Sequence, residues 1–284
     1  MAGKDLVKAV KEKGTTLEAE MSFFDHLEAL RWHLIRATIS VFVFTALAFW
    51  KYHFIYNDII MGPVHGDFWT YRMLCKYGSS GMCITHLNGT IINTDMAGQF
   101  MLQLNSSIMI GVIISVPYIL WEIWRFIKPA LLSTERKAAQ GFVFYATLLF
   151  AIGILFGYYV IAPESISFLA GYSVSDTIHN EFTVSSYLSM VATITLVIGI
   201  VFELPIVIYV LASVGILSGT FMRRTRRYSV IILLIIGAII SPSPDFFTTI
   251  ISTVPLFVLY EIGIWVATVV EKRRLAKHDE LMAS

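Results

Sequence analysis

The stretch that decides the fold is residues 187–212, which read YLSMVATITLVIGIVFELPIVIYVLA and contain Glu203 as their single charged residue. A run of about 18 or more apolar residues is long enough to cross the hydrocarbon core of a bilayer, roughly 30 Å, as a helix. We therefore predict a membrane-spanning helix here, and the rest of the chain has to suit a membrane protein.

The composition of the whole chain agrees with this prediction. Hydrophobic residues make up 56% of the 284 residues and charged residues only 14%, where soluble domains carry about 25% charged residues. A soluble globule could not bury this much apolar surface, and a disordered chain would be more polar. The net charge of +1 gives no basic footprint for nucleic acid. We predict an all-α membrane protein with several spans and no nucleic-acid partner.

Hydropathy along the chain predicts six spans, with the last two short. The fifth has only 12 residues, which reach about 18 Å as a helix. Either the last two segments are short spans that thin the bilayer, or they form a re-entrant hairpin. We favour short spans because cationic residues at 223–227 and 272–274 anchor both ends of the pair. The six spans are predicted at about residues 34–50, 99–127, 139–161, 187–212, 229–240 and 246–267.

The lysines and arginines set the orientation. Eighteen of the 21 flank the ends of the spans on the side of the two termini, and only Lys51, Arg72 and Lys76 lie on the other side. By the positive-inside rule, both termini are cytoplasmic. We expect a mobile cytoplasmic extension at residues 1–20, the six-helix membrane domain at 21–274 and a cytoplasmic tail at 275–284.

Two acids lie within the predicted spans. Glu203 is about ten residues from the cytoplasmic end of its span, which places it near the bilayer midplane, where a charge costs about 2.5–3.5 kcal/mol. It is either a protonated acid bonded to a neighbouring helix, or a docking point for a partner helix or a proton-linked group. Pro205 removes a backbone hydrogen bond beside it. For Glu261, pairing at the cytoplasmic interface and a functional role remain equal alternatives.

The predicted cytoplasmic loop at residues 122–137 reads EIWRFIKPALLSTERK. One interpretation is a helix start capped by residues 133–135, with a carboxylate at its N-terminal dipole. The other is a recognition surface that presents Glu122 and Glu135 to a cationic ligand.

The two cysteines lie on the predicted outer face, in CKYGSSGMC at residues 75–83. The glycines between Cys75 and Cys83 suit a tight turn, and the outer compartment of a bacterial membrane permits disulfides. A disulfide and two free thiols both remain open. We expect no metal site and no cofactor, because no metal-ligand spacing and no catalytic motif is present.

Five segments resemble the TatC family, the multispanning subunit of twin-arginine protein translocases. Residues 22–31, SFFDHLEALR, resemble the family's amino-terminal signature H-L-x-E-L-R, and residues 124–131, WRFIKPAL, followed by Glu135-Arg136, resemble its first cytoplasmic loop. The other three segments are FELP at 202–205, the outer-loop turn with Pro242, Pro244 and Asp245, and YEIG at 260–263. The resemblance covers about residues 21–274.

The resemblance implies six tilted helices in a glove-like concave bundle and a transport function rather than an enzyme. Such a subunit binds the twin-arginine signal peptides of folded proteins in the cytoplasm. It assembles with single-span TatA/TatB-type partners in a homo-oligomeric receptor complex in the bacterial cytoplasmic (inner) membrane, in contact with lipid, and uses the proton-motive force.

The resemblance also implies roles for individual residues. Signal-peptide binding falls on Glu28, Phe126, Glu135 and Arg136, and intramembrane partner docking falls on Glu203, Pro205 and Glu261. A guanidinium pair needs carboxylates on a cytoplasmic surface, so Glu135 is the best candidate. One departure matters: the family glutamate of H-L-x-E-L-R falls on Ala29, and Glu28 lies about 100° away around a helix.

Two other function classes compete with this interpretation. A proton-coupled small-molecule transporter would use Glu203 as its relay, but it would need an ion path and usually an internal repeat. An intramembrane enzyme would need a paired nucleophile and base inside the spans, and only Glu203 and Glu261 are predicted to lie deep.

Overall fold

The protein is a bundle of long helices with a small irregular part, here called the cap, formed by residues 52–77, 90–92 and 181–183. The computed structural model describes residues 23–77, 90–128, 141–175, 180–241 and 246–283. Ten α-helices lie in these ranges: α1 Phe23–Trp50, α2 Tyr52–Phe54, α3 Trp69–Tyr77, α4 Gly98–Ile127, α5 Phe142–Phe156, α6 Ala162–Gly171, α7 Val184–Phe202, α8 Leu204–Val214, α9 Gly219–Ile240 and α10 Phe246–Ala283. Short π-helical segments at Ile55–Ile60 and Gly157–Ile161 and a 3₁₀ turn at Gly62–Val64 join some of them.

Five helical segments in the described ranges are long and apolar enough to cross a membrane. They are Leu27–Trp50, Gly98–Ile127, Phe142–Gly171, Val184–Val214 and Thr248–Ala276. This confirms a largely helical chain with several membrane-spanning candidates. Helix α9, which contains the predicted fifth span, is not among the five, since its first turns carry four arginines between Arg223 and Arg227.

Two of the predicted spans continue well past the ends predicted for them from the sequence. The third continues past Ile161 to Gly171, because Pro163 lies at the start of α6, where a missing N–H costs no hydrogen bond. The last span continues past residue 267 to Ala276, and its helix runs on to Ala283. In both places the polypeptide stays helical after the apolar run has ended, so hydropathy alone placed the end too early.

Helix α7 forms the centre of the core. Its buried residues recur every three or four positions, which is the spacing of one helix face; they include Leu188, Val191, Ile194, Ile198 and Phe202. The neighbouring α5 approaches so closely that a Cβ built on Gly153 would lie 2.9 Å from the Cα of Gly199. Glycines at this crossing let the two backbones touch, as is common between membrane helices.

Tyrosine hydroxyls fasten the cap to the bundle. The hydroxyl of Tyr187 donates to the carbonyl of Ile60 at 2.6 Å, and that of Tyr71 donates to the carbonyls of Pro63 at 3.0 Å and Pro163 at 3.3 Å. The Tyr158 hydroxyl bonds the carbonyl of Ile59. These hydroxyls supply hydrogen-bond donors to backbone carbonyls, including those of the irregular segment at Ile59, Ile60 and Pro63.

One short pair of strands accompanies the helices, which the prediction of an all-α chain did not include. Strand β1, Thr90–Ile92, pairs in parallel with β2, Glu181–Thr183, with Ile91 opposite Phe182. Three residues are too few to show the alternating pattern of a strand, so the sequence carried no signal for this pairing.

Helix α1 exposes most of its apolar side chains. Phe42 is 71% exposed and Leu34 64% exposed. Exposed apolar side chains along a whole helix are expected where lipid, rather than water, surrounds it. The surface of α1 therefore fits a membrane environment.

Candidate functional site

The amino-terminal motif lies in the first two turns of α1. Glu28 is exposed and Ala29 is half-buried. Ala29 is one turn before His33 and shares its face, whereas Glu28 is five residues before His33 and so about 140° away around the helix. Glu28 therefore does not face α4, the helix on which His33 packs. The two positions are not equivalent, and Glu28 offers its carboxylate to the outside of the helix pair.

Helix α4 carries a buried acid that meets α1. Glu122 is 1% exposed, and its carboxylate accepts a hydrogen bond from Nδ1 of His33. The guanidinium of Arg125 lies 3.4 Å from the same carboxylate, one turn along α4. A buried carboxylate needs such partners, because an unpaired charge away from water is costly.

The hypothesis that Glu122 is presented to a cationic ligand is wrong in this structure. The carboxylate is buried and already has two partners within the described residues, His33 and Arg125. Neither pairing was predicted from the sequence. The sequence offers one indication of a role for His33: it lies one turn after Ala29 and so shares a helix face with this motif residue. Nothing local in the sequence pairs His33 with a residue 89 positions away.

Phe126 lies one turn beyond Glu122, toward the end of α4. It is half-buried, and its ring meets the His33 ring edge-on, with 6.1 Å between the centroids. Nearby, Trp124 stacks on Phe142 of α5 at 4.5 Å. The end of α4 is thus held by α1 on one side and α5 on the other. Glu135 and Arg136 lie outside the described residues.

Glu203 marks a break in the fourth membrane-spanning segment. Helix α7 ends at Phe202, and α8 begins at Leu204 with buried Pro205 in its first turn. Both carboxylate oxygens of Glu203 are buried, and neither has a hydrogen-bond partner among the described residues. The break arises because Pro205 cannot donate to the preceding turn. The structure thus puts an unbonded acid and a proline next to each other inside an apolar segment.

Glu261 has a partner. Its Oε1 lies 2.6 Å from Nε of Arg226 on α9, in a close ion pair without hydrogen-bond alignment. The side chains are 33% and 53% exposed, respectively. Of the two interpretations of Glu261 from the sequence, this geometry favours the one in which the acid pairs with a neighbouring group.

The remaining predicted site residues are only partly within the described ranges. Pro242, Pro244 and Asp245 lie outside them. Cys75 is disulfide-bonded, and Cys83, the other cysteine of the chain, lies outside the described residues. In the ranges that the structure describes, no three His, Cys, Asp or Glu residues are grouped so as to hold a metal ion.

The comparison with known proteins identifies the family. The family profile of TatC, the Sec-independent protein translocase protein, matches residues 25–255. TatC of Blattabacterium sp. subsp. Periplaneta americana is 36% identical over 262 residues, which is 90% of this chain and 98% of the relative. TatC of Koribacter versatilis is 33% identical over 263 residues, covering 92% and 90% of the two chains.

Solved structures give the same result. Two crystal structures of the twin-arginine translocase receptor TatC, one of them in DDM, match with TM-scores of 0.64 and 0.66. Each is 31% identical in sequence, and each match covers 86% of this chain and 99% of the other. The resemblance inferred from five short segments is thereby confirmed, and the chain belongs to the TatC family of Sec-independent protein translocase proteins.

Proposed function

We propose that this protein binds the twin-arginine signal peptides of folded cargo proteins on the cytoplasmic side of the bacterial inner membrane. The observation that supports this most is the meeting of two motif segments at one end of the bundle. His33, just after the amino-terminal motif, bonds Glu122, and Phe126, at the start of the loop motif, packs against His33. A ligand that touches one segment therefore lies within reach of the other.

The binding groups in this proposal are carboxylates and an aromatic ring. Glu28 is exposed on α1, and Glu135 follows in the loop, so two acids from different segments can pair with two guanidinium groups of the peptide. A guanidinium group can pair with a carboxylate through two parallel hydrogen bonds, whereas an ammonium group cannot. Phe126 and Arg136 complete the proposed surface. Discrimination between arginine and lysine is the property that such a surface confers.

The membrane arrangement in the proposal has six spans with both termini in the cytoplasm. The fifth span is the apolar part of α9, residues 229–240, whose exposed Ile231, Ile232 and Ile235 suit contact with lipid. The excess of lysine and arginine on the side of both termini supports the orientation. The short apolar part of α9, next to a tilted bundle, would give the concave, glove-like wall of the family.

We further infer that Glu203 and Pro205 form a docking point for single-span partners of the TatA/TatB type. A buried carboxyl with no hydrogen-bond partner among the described residues can bond a polar group on a partner helix. Hydrogen bonds of this kind stabilise the association of membrane helices. Glu261 would join only by exchanging its bond to Arg226. Copies of the chain would assemble with these partners, and the proton-motive force would drive transport without a cofactor.

Site-specific photocrosslinking tests the signal-peptide proposal. A twin-arginine peptide carrying a photoreactive residue beside the pair should crosslink to the protein in membranes, and a twin-lysine peptide should crosslink far less. Glu135→Ala should abolish the crosslink, and Glu28→Ala should weaken it. Glu181→Ala, which removes an exposed acid of the cap, is the matched control and should bind like the wild type. Unchanged crosslinking of Glu135→Ala would sink the role of Glu135.

A further inference from the structure

The pair of α1 and α4 is fixed at two points. Near the middle of the bundle, a Cβ built on Gly111 would lie 2.6 Å from the backbone nitrogen of Thr45, so the helices touch there. At the cytoplasmic end, His33 bonds Glu122. The helices are antiparallel, and 11 or 12 residues separate the two points on each helix, which is about 16–18 Å. Two points at this distance fix both the sliding and the rotation of one helix against the other.

The second point is made of polar groups that have little freedom to exchange. Glu122 is 1% exposed and the His33 side chain 17% exposed. Arg125, the other charged neighbour of the carboxylate, is 44% exposed and lies 3.4 Å away on the same helix. Because Arg125 belongs to α4, His33 is the described partner that connects the Glu122 carboxylate to α1.

The register of the pair continues toward the motif segments. Each turn from His33 toward the start of α1 lies opposite one turn from Glu122 toward the end of α4. Ala29, one turn before His33, therefore comes opposite Phe126, one turn beyond Glu122. The edge-on contact of the His33 and Phe126 rings joins this turn of α4 to the His33 turn of α1. A change at the His33–Glu122 bond would thus shift the two motif segments against each other.

We propose that His33 and Glu122 are positioning residues for signal-peptide binding, and that their bond sets the register between the amino-terminal motif on α1 and the loop motif that follows α4. Neither side chain contacts the peptide. This inference rests on the proposed function of the site. It predicts that the pair acts as one unit, so that replacing both residues by apolar ones disturbs binding less than replacing one.

The test is a double-mutant cycle on the purified full-length protein in lipid nanodiscs. The dissociation constant of a fluorescent twin-arginine peptide is measured for the wild type, His33→Leu, Glu122→Met and the double variant. His33→Leu strands a buried carboxylate, so the dissociation constant should rise about tenfold. The double variant removes both polar groups from the interface, and its dissociation constant should return to within about threefold of the wild type.

Glu271→Gln serves as the control, because Glu271 makes a comparable bond elsewhere at the cytoplasmic end, to the backbone N–H of Gly219 at 2.9 Å. Its peptide affinity should equal that of the wild type. Thermal unfolding of each variant shows whether a loss of affinity is merely a loss of fold. His33→Arg, which supplies a hydrogen-bond donor to Glu122, should have a higher affinity than His33→Leu.

The outcomes separate the possible explanations. If both single variants bind like the wild type, the pair does not position the site. If the double variant is as weak as Glu122→Met, Glu122 acts on the peptide directly and the positioning role is wrong. If the wild type itself does not prefer the twin-arginine peptide over a twin-lysine peptide, the proposed function fails, whatever the variants do.

Discussion

Nε of Arg226 on α9 lies 2.6 Å from Oε1 of Glu261 on α10, and this ion pair joins the last two helices. The guanidinium also lies over the Phe257 ring, 5.6 Å from its centroid. Beside it, the hydroxyl of Tyr260 donates to the carbonyl of Met222 at 3.0 Å and accepts from Ser229 at 2.8 Å. The YEIG segment thus works as a link between α9 and α10 in this chain.

We expect Glu261→Gln to lower the free energy of unfolding by only about 0.5–1 kcal/mol, because both partners are partly exposed and water screens the pair. Thermal unfolding in detergent at low and high salt measures this, and the difference from the wild type should shrink at high salt. Arg224→Gln, an exposed change on the same helix, should alter stability by less than about 0.5 kcal/mol. A loss above about 3 kcal/mol for Glu261→Gln would contradict a screened pair.

The crossing of α5 and α7 gives a second prediction. A Cβ at Gly153 would lie 2.8 Å from the Cβ of Phe202 and 2.9 Å from the Cα of Gly199, and neither atom can move without moving a helix. Gly153→Ala should therefore lower the free energy of unfolding by about 1–3 kcal/mol. Gly171→Ala is the matched control, since a Cβ there meets nothing within 4 Å. Equal melting temperatures for the two variants would refute the close packing.

The bond from Tyr187 to Ile60 gives a third prediction. Tyr187→Phe leaves the buried carbonyl of Ile60 without this donor, which should lower the free energy of unfolding by about 1–3 kcal/mol. Hydrogen exchange should also speed up locally around Gly62–Val64. Tyr145→Phe, at a side chain that is 59% exposed, should change neither quantity. Unchanged exchange in the cap of Tyr187→Phe would mean that this bond does not hold it.

The sequence predicted the features that depend on local hydropathy and missed those that depend on contacts between distant residues. Lipid requires long apolar helices, so hydropathy located five segments that the structure describes as span-length helices, and it placed Glu203 inside one of them. The hydrogen bonds that connect different helices could not be predicted from local sequence patterns. Tyr187 bonds a carbonyl 127 positions away in the chain, and His33 bonds an acid 89 positions away. Glu122 looked available in the sequence, because burial is a property of the packed helices and not of the motif.

The pH dependence of the cap gives a fourth prediction. Burial raises the pKa of the Tyr71 hydroxyl, and the charge of Glu164 raises it further. Below about pH 10 the phenol is protonated in both states, whereas above it the unfolded chain loses the proton first, so stability falls by about 1.4 kcal/mol per pH unit for this group. Tyr71→Phe should flatten the slope between pH 10 and 11. Burial also raises the pKa values of Tyr52 and Tyr56, so part of the slope should remain. The melting temperature at several pH values measures the slope, and identical slopes would contradict the prediction.

The last prediction concerns Glu203, where stability and function should move in opposite directions. Both oxygens of this carboxyl are buried and unbonded within the described residues, and such a group costs about 1–3 kcal/mol. Glu203→Leu should therefore raise the free energy of unfolding by about that amount, whereas Glu203→Gln keeps a polar group and should change it little.

If the carboxyl serves to dock a partner helix, the Leu variant should also co-purify with less of a TatA/TatB-type single-span protein than the wild type does. The Gln variant should recover more of this partner than the Leu variant. A residue kept at a cost to stability but needed for a partner is the signature of a functional site. A Leu variant that is less stable than the wild type would mean that the carboxyl is already satisfied in the membrane, and full partner recovery with Leu would remove Glu203 from the docking surface.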